Sequence, residues 1–186
     1  STIFFFTKKE DHPVEYVAPD YAYSLDYVEE LLGKGGRIAN ERMDGCDYWW
    51  FETGGMEDTI ADAQKIALEL KRLVAGVWNY IKNSGQFHAE NLTLAWEGNL
   101  PGKRESRRML TKTVLKQQDV LSGGRMKDAA FYGGWYLDFH PSDGIFTDED
   151  FCTQIPVQVY GIPLGCLYHP DRPNLLFAGR SIGASH

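Results

Sequence analysis

The segment DTIADAQKIALELKRLVAGVWNYIKNSG, residues 58–85, carries the strongest periodic pattern in the chain. Its apolar residues recur at spacings of three and four, which is the period of one face of an α-helix. Asp58 or Thr59 can cap the start, and residues 83–85 supply a stop. We therefore predict one long amphipathic helix packed diagonally across a sheet. Its apolar face is Ile60, Ala63, Ala67, Leu70, Val74, Val77, Trp78 and Ile81.

Strand-like segments lie on both sides of this helix in the sequence. Residues 3–7 form an apolar run and residues 91–98 alternate, and both patterns are typical of strands. Prolines at 156 and 163 break residues 155–168, which indicates short edge strands around a bend. We also predict strands over CDYWWFETGG (46–55), residues 109–115, GGWYLDFH (133–140) and residues 174–178, the last buried on both faces.

Shorter helices and loops complete the predicted architecture. Apolar spacing after Ser24 indicates a short helix that Gly33 ends, and residues 118–121 indicate one helical turn. Polar, proline-containing stretches at residues 8–21 and 141–150 are typical of loops. No repeat, low-complexity run or linker divides the sequence. We predict a single α+β domain with a mixed or antiparallel sheet.

Composition excludes several classes of protein. The chain has 186 residues, 43% of them hydrophobic and 24% charged, with a net charge of −7. This charge argues against a nucleic-acid-binding surface, which would be basic. No apolar run approaches the roughly 20 residues of a membrane-spanning helix. The start, STIFFFTKKE, lacks the basic region of a signal peptide, and the pattern leaves the compartment, cytoplasmic or exported, open.

The cysteines do not predict a metal site. Cys46, Cys152 and Cys166 are widely spaced and form no C-x-x-C pair. Buried or unpaired thiols are the favoured interpretation over a metal site or a disulfide.

A dense basic cluster, GKRESRRM, occupies residues 102–109. In an extended segment Arg104 and Arg108 share one face, while Arg107 faces the other way. The planar guanidinium fork suits a carboxylate, a phosphate or the negative charge of a reduced flavin. The alternative is a solvated charged edge in which Glu105 pairs with an arginine.

A second candidate pair is Asp138 and His140 in YLDFH. Residues two apart on a strand share a face, and a carboxylate near an imidazole can orient it and raise its basicity. We interpret the pair as a candidate for proton transfer. The alternative is a surface pair with no chemical role.

Aromatic residues allow a different kind of binding site. Trp78 belongs to the helix face, and one of the neighbours Trp49 and Trp50 should be core. Exposed tryptophan and tyrosine faces can stack on sugars, so a carbohydrate-binding or polysaccharide-processing module is our alternative function. The sequence carries no nucleotide fingerprint, because GKGGRIA has Ile38 where G-x-G-x-x-G needs its third glycine.

Six segments in a fixed order resemble one protein family. The resemblance is to the FAD-dependent oxidoreductases common in bacterial genomes, and it covers nearly the whole chain. The segments are DYWWFETGG (47–55), DTIADAQ (58–64), GVWNYIKN (76–83), GKRESRR (102–108), WYLDFH (135–140) and NLLFAGRSIGASH (174–186).

The resemblance implies a Rossmann-like flavin domain that is split in sequence by an inserted substrate domain. Residues 1–186 would be that substrate domain, and residues 174–186 would begin the return into the flavin domain. The expected partners are the remaining flavin-binding domain of the same polypeptide and a small-molecule substrate. An excised chain could also self-associate.

The same resemblance assigns roles to particular residues. FAD is the expected cofactor, although the missing glycine fingerprint implies that this chain alone does not hold it. The family pattern assigns no general base, so the catalytic residues are our inference from the residues themselves. One of the arginines 104, 107 or 108 would hold an anionic group or the reduced flavin, and Asp138 and His140 are the candidate proton-transfer pair. The expected cofactor-binding residues are Gly179, Arg180, Ser181 and Ser185.

Overall fold

The computed structural model describes residues 1–42, 48–103, 107–124 and 126–185. It contains helices and small antiparallel sheets, which confirms the predicted α+β class. The chain divides into two compact units. The first comprises residues 1–103 and 140–152, and the second comprises residues 104–139 and 153–186. The sequence carries no linker that announces this division, because each unit is assembled from two separate stretches of chain.

The first unit is built around a two-stranded antiparallel sheet. Strand β1 (Phe5–Lys9) pairs with strand β2 (Leu92–Glu97), with a shift of register between Phe6 and Thr7. Both strands were predicted, although β1 begins two residues later than residues 3–7 suggest. The short helix α1 (Leu25–Leu32) is confirmed at both ends: the Ser24 hydroxyl accepts a hydrogen bond from the Tyr27 amide, and Gly33 ends the helix.

The long helix α2 (Ala63–Asn83) is the main element of the first unit. It begins later than predicted, because the Asp58 carboxylate accepts hydrogen bonds from the Ile60 and Ala61 amides and holds a separate turn ahead of the helix. Ile60 is consequently exposed. The predicted C-terminal stop is confirmed, with Ser84 as the cap residue and a positive φ of 77° at Gly85.

One core joins α2 to the sheet. The apolar face of α2 shares this core with Ile3, Phe5 and Leu92, so the helix packs on the sheet as predicted. The Lys82 ammonium donates hydrogen bonds to the carbonyl oxygens of Ala89, Glu90 and Leu92 at 2.7–2.9 Å, which ties the last turn of α2 to the start of β2. The buried α2 side chains are Ile66, Leu70, Leu73, Val74, Val77, Trp78, Tyr80 and Ile81, with Ala75 and Gly76.

The strand predicted over residues 46–55 is wrong for its described part, residues 48–55. The Phe51 amide donates to the Tyr48 carbonyl and the Glu52 amide to the Trp50 carbonyl, so this stretch turns instead of extending. Its β-type pairing with the rest of the described chain is a single isolated bridge between Glu52 and Thr2. Its aromatic residues are nevertheless core, because Trp50 and Phe51 are fully buried.

The second unit consists of three separate two-stranded antiparallel pairs and one short helix, α3 (Gln117–Leu121). Leu115, Val120, Ile162 and Cys166 form its core. Cys166 is therefore a buried thiol, while Cys46 lies outside the described residues. The pairs are β3 (Ala129–Gly133) with β6 (Tyr160–Pro163), β4 (Leu137–Phe139) with β5 (Thr153–Ile155), and β7 (Tyr168–His169) with β8 (Arg172–Leu176).

Two strand predictions in the second unit are corrected. Residues 109–115 form no strand, because the amides of Lys112 and Thr113 donate to Tyr168 and Gly165 while the Leu115 amide donates to a different segment, at Gly183. The strand predicted over residues 174–178 is β8, and it is exposed along its whole length instead of buried on both faces. In this two-stranded ribbon no second layer covers β8 among the described residues.

None of the helices in the described part of the chain is long and apolar enough to cross a membrane.

Candidate functional site

The basic cluster and the C-terminal segment meet in the second unit. Arg104 lies outside the described residues, and Arg107 is exposed. The Arg108 guanidinium donates a hydrogen bond from Nη1 to the Ala184 carbonyl oxygen at 3.0 Å. This contact spans 76 residues of sequence. The structure therefore places one predicted arginine directly on the segment that was predicted to contact the cofactor.

Backbone hydrogen bonds hold that C-terminal segment in place. Leu115 and Ala184 form a parallel bridge, in which the Leu115 amide donates to the Gly183 carbonyl at 2.9 Å and the Ser185 amide donates to the Leu115 carbonyl at 2.8 Å. The Gly183 amide donates in turn to the Cys166 carbonyl at 2.8 Å. A Cβ atom on Gly183 would lie 1.9 Å from the Thr111 hydroxyl, so only glycine allows this approach.

The other predicted cofactor-binding residues form one turn after β8. Gly179, Arg180 and Ser181 make a single 3-10 turn in which Gly179 has a positive φ of 61°. A Cβ atom on Gly179 would meet nothing within 4 Å. The backbone conformation, and not packing inside the chain, is therefore the reason for glycine at this position. Gly179, Arg180 and Ser185 are exposed, and Ser181 is half-buried.

The structure gives His140 a carboxylate partner that the sequence did not indicate. His140 lies one residue beyond β4, in the first unit, and its Nδ1 atom is 2.6 Å from Glu52 Oε2. The side chains are 14% and 18% exposed, and the Trp49 ring lies edge-on to the imidazole at 5.8 Å. Asp138 belongs to the second unit, where it is exposed on β4 opposite Gln154.

No local signal could have found Glu52, because 88 residues separate it from His140. The contact depends on the path of residues 140–152, which return to the first unit after β4. There the Ile145 amide donates to the Glu52 carbonyl at 2.8 Å, and Gly144 packs so closely that a Cβ atom would lie 2.1 Å from the same oxygen. Glu52 is thus held through both its backbone and its side chain.

A cleft of about 300 Å³ also opens in the first unit. Its walls come from residues 53–57, from the first turns of α2, and from residues 142–146. Three carboxylates and one ammonium line it beside apolar groups. Residues that define its chemistry are Thr53, Glu57, Lys65, Glu69, Asp143 and Phe146.

The aromatic residues divide between core and surface. Trp78 and Trp50 are buried while Trp49 is exposed, as predicted for the helix tryptophan and for one of the two neighbours. Trp135 and Tyr136 are exposed, but their rings meet edge-to-face with an interplanar angle of 82°. These two rings therefore present no coplanar stacking surface.

Comparison with known proteins identifies the family. The sequence profile of the family described as FAD dependent oxidoreductase matches residues 3–186. The chain belongs to this family. No curated protein sequence and no solved structure matches it.

A FAD-dependent oxidoreductase must bind the pyrophosphate of its cofactor, usually at a glycine-rich turn that opens a helix. In the described part of the chain β8 leads into a single 3-10 turn, Gly179–Ser181, and not into a longer helix. The open space beside Gly179 allows a close approach by another group. The turn after β8 is therefore not the glycine-rich start of a helix that binds a pyrophosphate.

Proposed function

We propose that this chain is the substrate-binding domain of a FAD-dependent oxidoreductase that acts on a small organic molecule. The oxidation–reduction chemistry of the family belongs to FAD, and a protein domain of this kind contributes binding, orientation and exclusion of water. The single observation that carries the proposal is the hydrogen bond from Arg108 to Ala184, which joins the basic cluster to the segment 179–185.

The proposal gives the arginines a binding role. Both lie in the second unit, where Arg107 is exposed and Arg108 donates a hydrogen bond to Ala184 in the segment proposed to meet the cofactor. A guanidinium can bind a substrate carboxylate or phosphate through two parallel hydrogen bonds. Asp138 and His140 remain proposed proton-transfer residues, and Glu52 supplies His140 with the carboxylate that orients its imidazole.

The proposed flavin-binding partner domain is supported by the surface of the second unit. Leu175 and Leu176 on β8 and the 3-10 turn that follows are exposed. Exposed apolar side chains of this kind can form part of an interaction surface. We place the remaining flavin-binding domain of the same polypeptide on this side of the second unit.

The test is an absorption spectrum of the protein purified from the complete reading frame. Bands near roughly 370 and 450 nm that bleach with a substrate would support the proposal. Protein that stays colourless with added FAD would overturn it.

A variant series then tests the arginines. Arg107→Ala and Arg108→Ala should lower kcat/KM by about tenfold or more, equivalent to about 1.4 kcal/mol of lost transition-state binding. Lys127→Ala, which removes an exposed charge from the same unit, is the matched control. Unchanged kcat/KM in both arginine variants would remove them from substrate binding.

A further inference from the structure

The outer face of the β1–β2 sheet carries exposed aromatic side chains. Side chains at the start of the chain alternate between the two faces, so Ile3 and Phe5 join the core while Phe4 and Phe6 are each 64% exposed. Trp96 on β2 lies opposite Phe6 and is exposed, and the centroids of the two rings are 5.3 Å apart. One face of this sheet therefore packs on α2, and the opposite face is aromatic.

The loop that follows β2 extends this aromatic face. The Gly98 amide donates to the Phe4 carbonyl at 2.8 Å, which holds the loop on the sheet. A Cβ atom on Gly98 would lie 3.5 Å from the Trp96 ring, and one on Gly102 would lie 3.3 Å from the Phe4 ring, so both rings lie close to the loop backbone. Leu100 lies between these two glycines and is 83% exposed. We call this surface the outer patch, and its side chains are Phe4, Phe6, Trp96 and Leu100.

The surroundings of the outer patch are basic. Across β1, β2 and the loop of residues 98–103, the ionisable side chains are Lys8, Lys9, Lys103 and Glu97. The three lysines are exposed. Glu97 lies opposite Phe5 in the sheet and therefore faces the core side. This part of the surface is positive, although the chain has a net charge of −7.

Neighbouring elements leave this positive charge in place. Glu10 pairs with Lys8 at 2.9 Å, but the lysine side chain is largely solvated, and exposed pairs of this kind are weak. Lys71 on α2 adds a fourth ammonium group, which donates to the neutral Asn99 Oδ1 atom at 3.2 Å. Two copies of this surface would bring ammonium groups together, so the charge argues against pairing with a second copy of the chain.

We propose that the outer patch binds the surface of a membrane that contains anionic lipids. Binding of this kind combines apolar side chains at the boundary of headgroups and acyl chains with basic groups that are attracted to anionic headgroups. The one polar atom among the four side chains of the outer patch is the indole nitrogen of Trp96, so the patch offers little to the hydroxyl groups of a sugar. The inference rests on the first unit alone and does not depend on flavin.

The binding test is co-sedimentation of the full chain with large unilamellar vesicles at pH 7. Vesicles of phosphatidylcholine with about 30% phosphatidylglycerol should bind the protein, because each lysine near an anionic surface strengthens binding by a factor of about five. Pure phosphatidylcholine vesicles should bind it at least about tenfold more weakly. Raising the salt from about 0.1 M to about 1 M should release most of the bound protein, because salt screens this attraction.

Variants of exposed residues keep the test independent of folding. Phe6→Ser and Leu100→Ser should each lower the vesicle partition coefficient by about fivefold to tenfold, because an apolar side chain no longer enters the acyl boundary. Lys103→Gln should lower it by about fivefold, and the Tm of all three variants should stay close to that of the wild type. Trp135→Ser removes an exposed aromatic side chain from the second unit and should leave binding unchanged.

Three results would overturn the proposal. They are no binding of the wild type to phosphatidylglycerol vesicles, equal binding to the two lipid compositions, and binding that Phe6→Ser and Leu100→Ser leave unchanged. Sedimentation velocity without lipid tests the rival occupant, a second copy of the chain. A dimer that dissociates in Phe6→Ser, in a protein that does not bind vesicles, would assign the outer patch to self-association instead.

Discussion

The imidazole of His140 and the carboxylate of Glu52 meet at 2.6 Å although they come from the two separate stretches of chain that make up the first unit. The contact joins residues 140–152 to Glu52, which directly follows the aromatic residues 48–51. Both side chains are largely withdrawn from water. Removing either one leaves a partly buried polar group without this partner, which is costly.

A double-mutant cycle tests this pair. His140→Ala and Glu52→Gln should each lower the free energy of unfolding by about 1–2 kcal/mol. The double variant should lose about 1 kcal/mol less than the sum, because the second substitution removes a group whose partner is already absent. Urea titrations at pH 7 measure all four proteins. Strict additivity would show that the two side chains do not stabilise each other.

The partly buried carboxyl of Glu97 on β2 should make the free energy of unfolding depend on pH. Burial raises the pKa of the Glu97 carboxyl above its ordinary value, although nearby Lys71 lowers it in part. Its Oε1 atom is buried and has no hydrogen-bond partner among the described residues. Because the folded protein binds this proton more tightly than the unfolded chain, the protonated carboxyl stabilises the folded state at pH values below its pKa in the unfolded chain. This contribution is lost as the pH rises through its pKa in the folded protein.

Glu97→Gln should therefore stabilise the protein at pH 7, by about 1 kcal/mol, and should have little effect near pH 4. Thermal unfolding across this pH range measures the difference. Glu90→Gln removes an exposed carboxylate from the same region and is the control. A wild-type protein that is more stable than Glu97→Gln at pH 7 would contradict the prediction.

Two glycines of the C-terminal segment should respond differently to alanine. Gly183→Ala places a Cβ atom 1.9 Å from the Thr111 hydroxyl and 2.5 Å from the Thr113 carbonyl, so the segment must move. We expect a loss of about 2–3 kcal/mol. Gly179→Ala has open space and a positive φ, so it should cost about 1 kcal/mol. Equal losses would mean that the segment does not pack against residues 111–113.

The buried side chain of Arg37 gives a fourth stability prediction. It is 5% exposed, and its Nη2 donates hydrogen bonds to the Ile145 carbonyl at 2.7 Å and the Thr147 carbonyl at 2.9 Å. Arg37→Ala leaves both carbonyls without this donor and should cost about 2–4 kcal/mol. Lys34→Ala removes the exposed ion pair with Asp148 and should change the unfolding free energy little. Chemical denaturation of both variants checks the contrast.

Local chemistry explains which elements could be predicted. The Ser24 cap and Gly33 define α1, the apolar period defines the body of α2, and short apolar runs mark β1 and β2. The start of α2 was predicted too early because Asp58 caps a separate turn. The sequence allows Asp58 to cap either this turn or the helix itself, and it does not decide between the two. Residues 48–55 and 109–115 resemble strands because core residues in irregular segments are as apolar as those in a sheet.

The sequence by itself determined the family, through an ordered set of motifs, and the residues proposed for cofactor and anion binding. Arg108, Gly179 and Ser185 were proposed in this way. The tertiary structure decided the partner of His140, the link from Arg108 to Ala184 and the cleft beside α2. These contacts join residues far apart in sequence. The partner of His140 and the cleft depend on how residues 140–152 return to the first unit, and the link from Arg108 depends on how the C-terminal segment packs within the second unit. Spacing along the chain carries no information about such distances, because they are set only when the separate segments of each unit pack together.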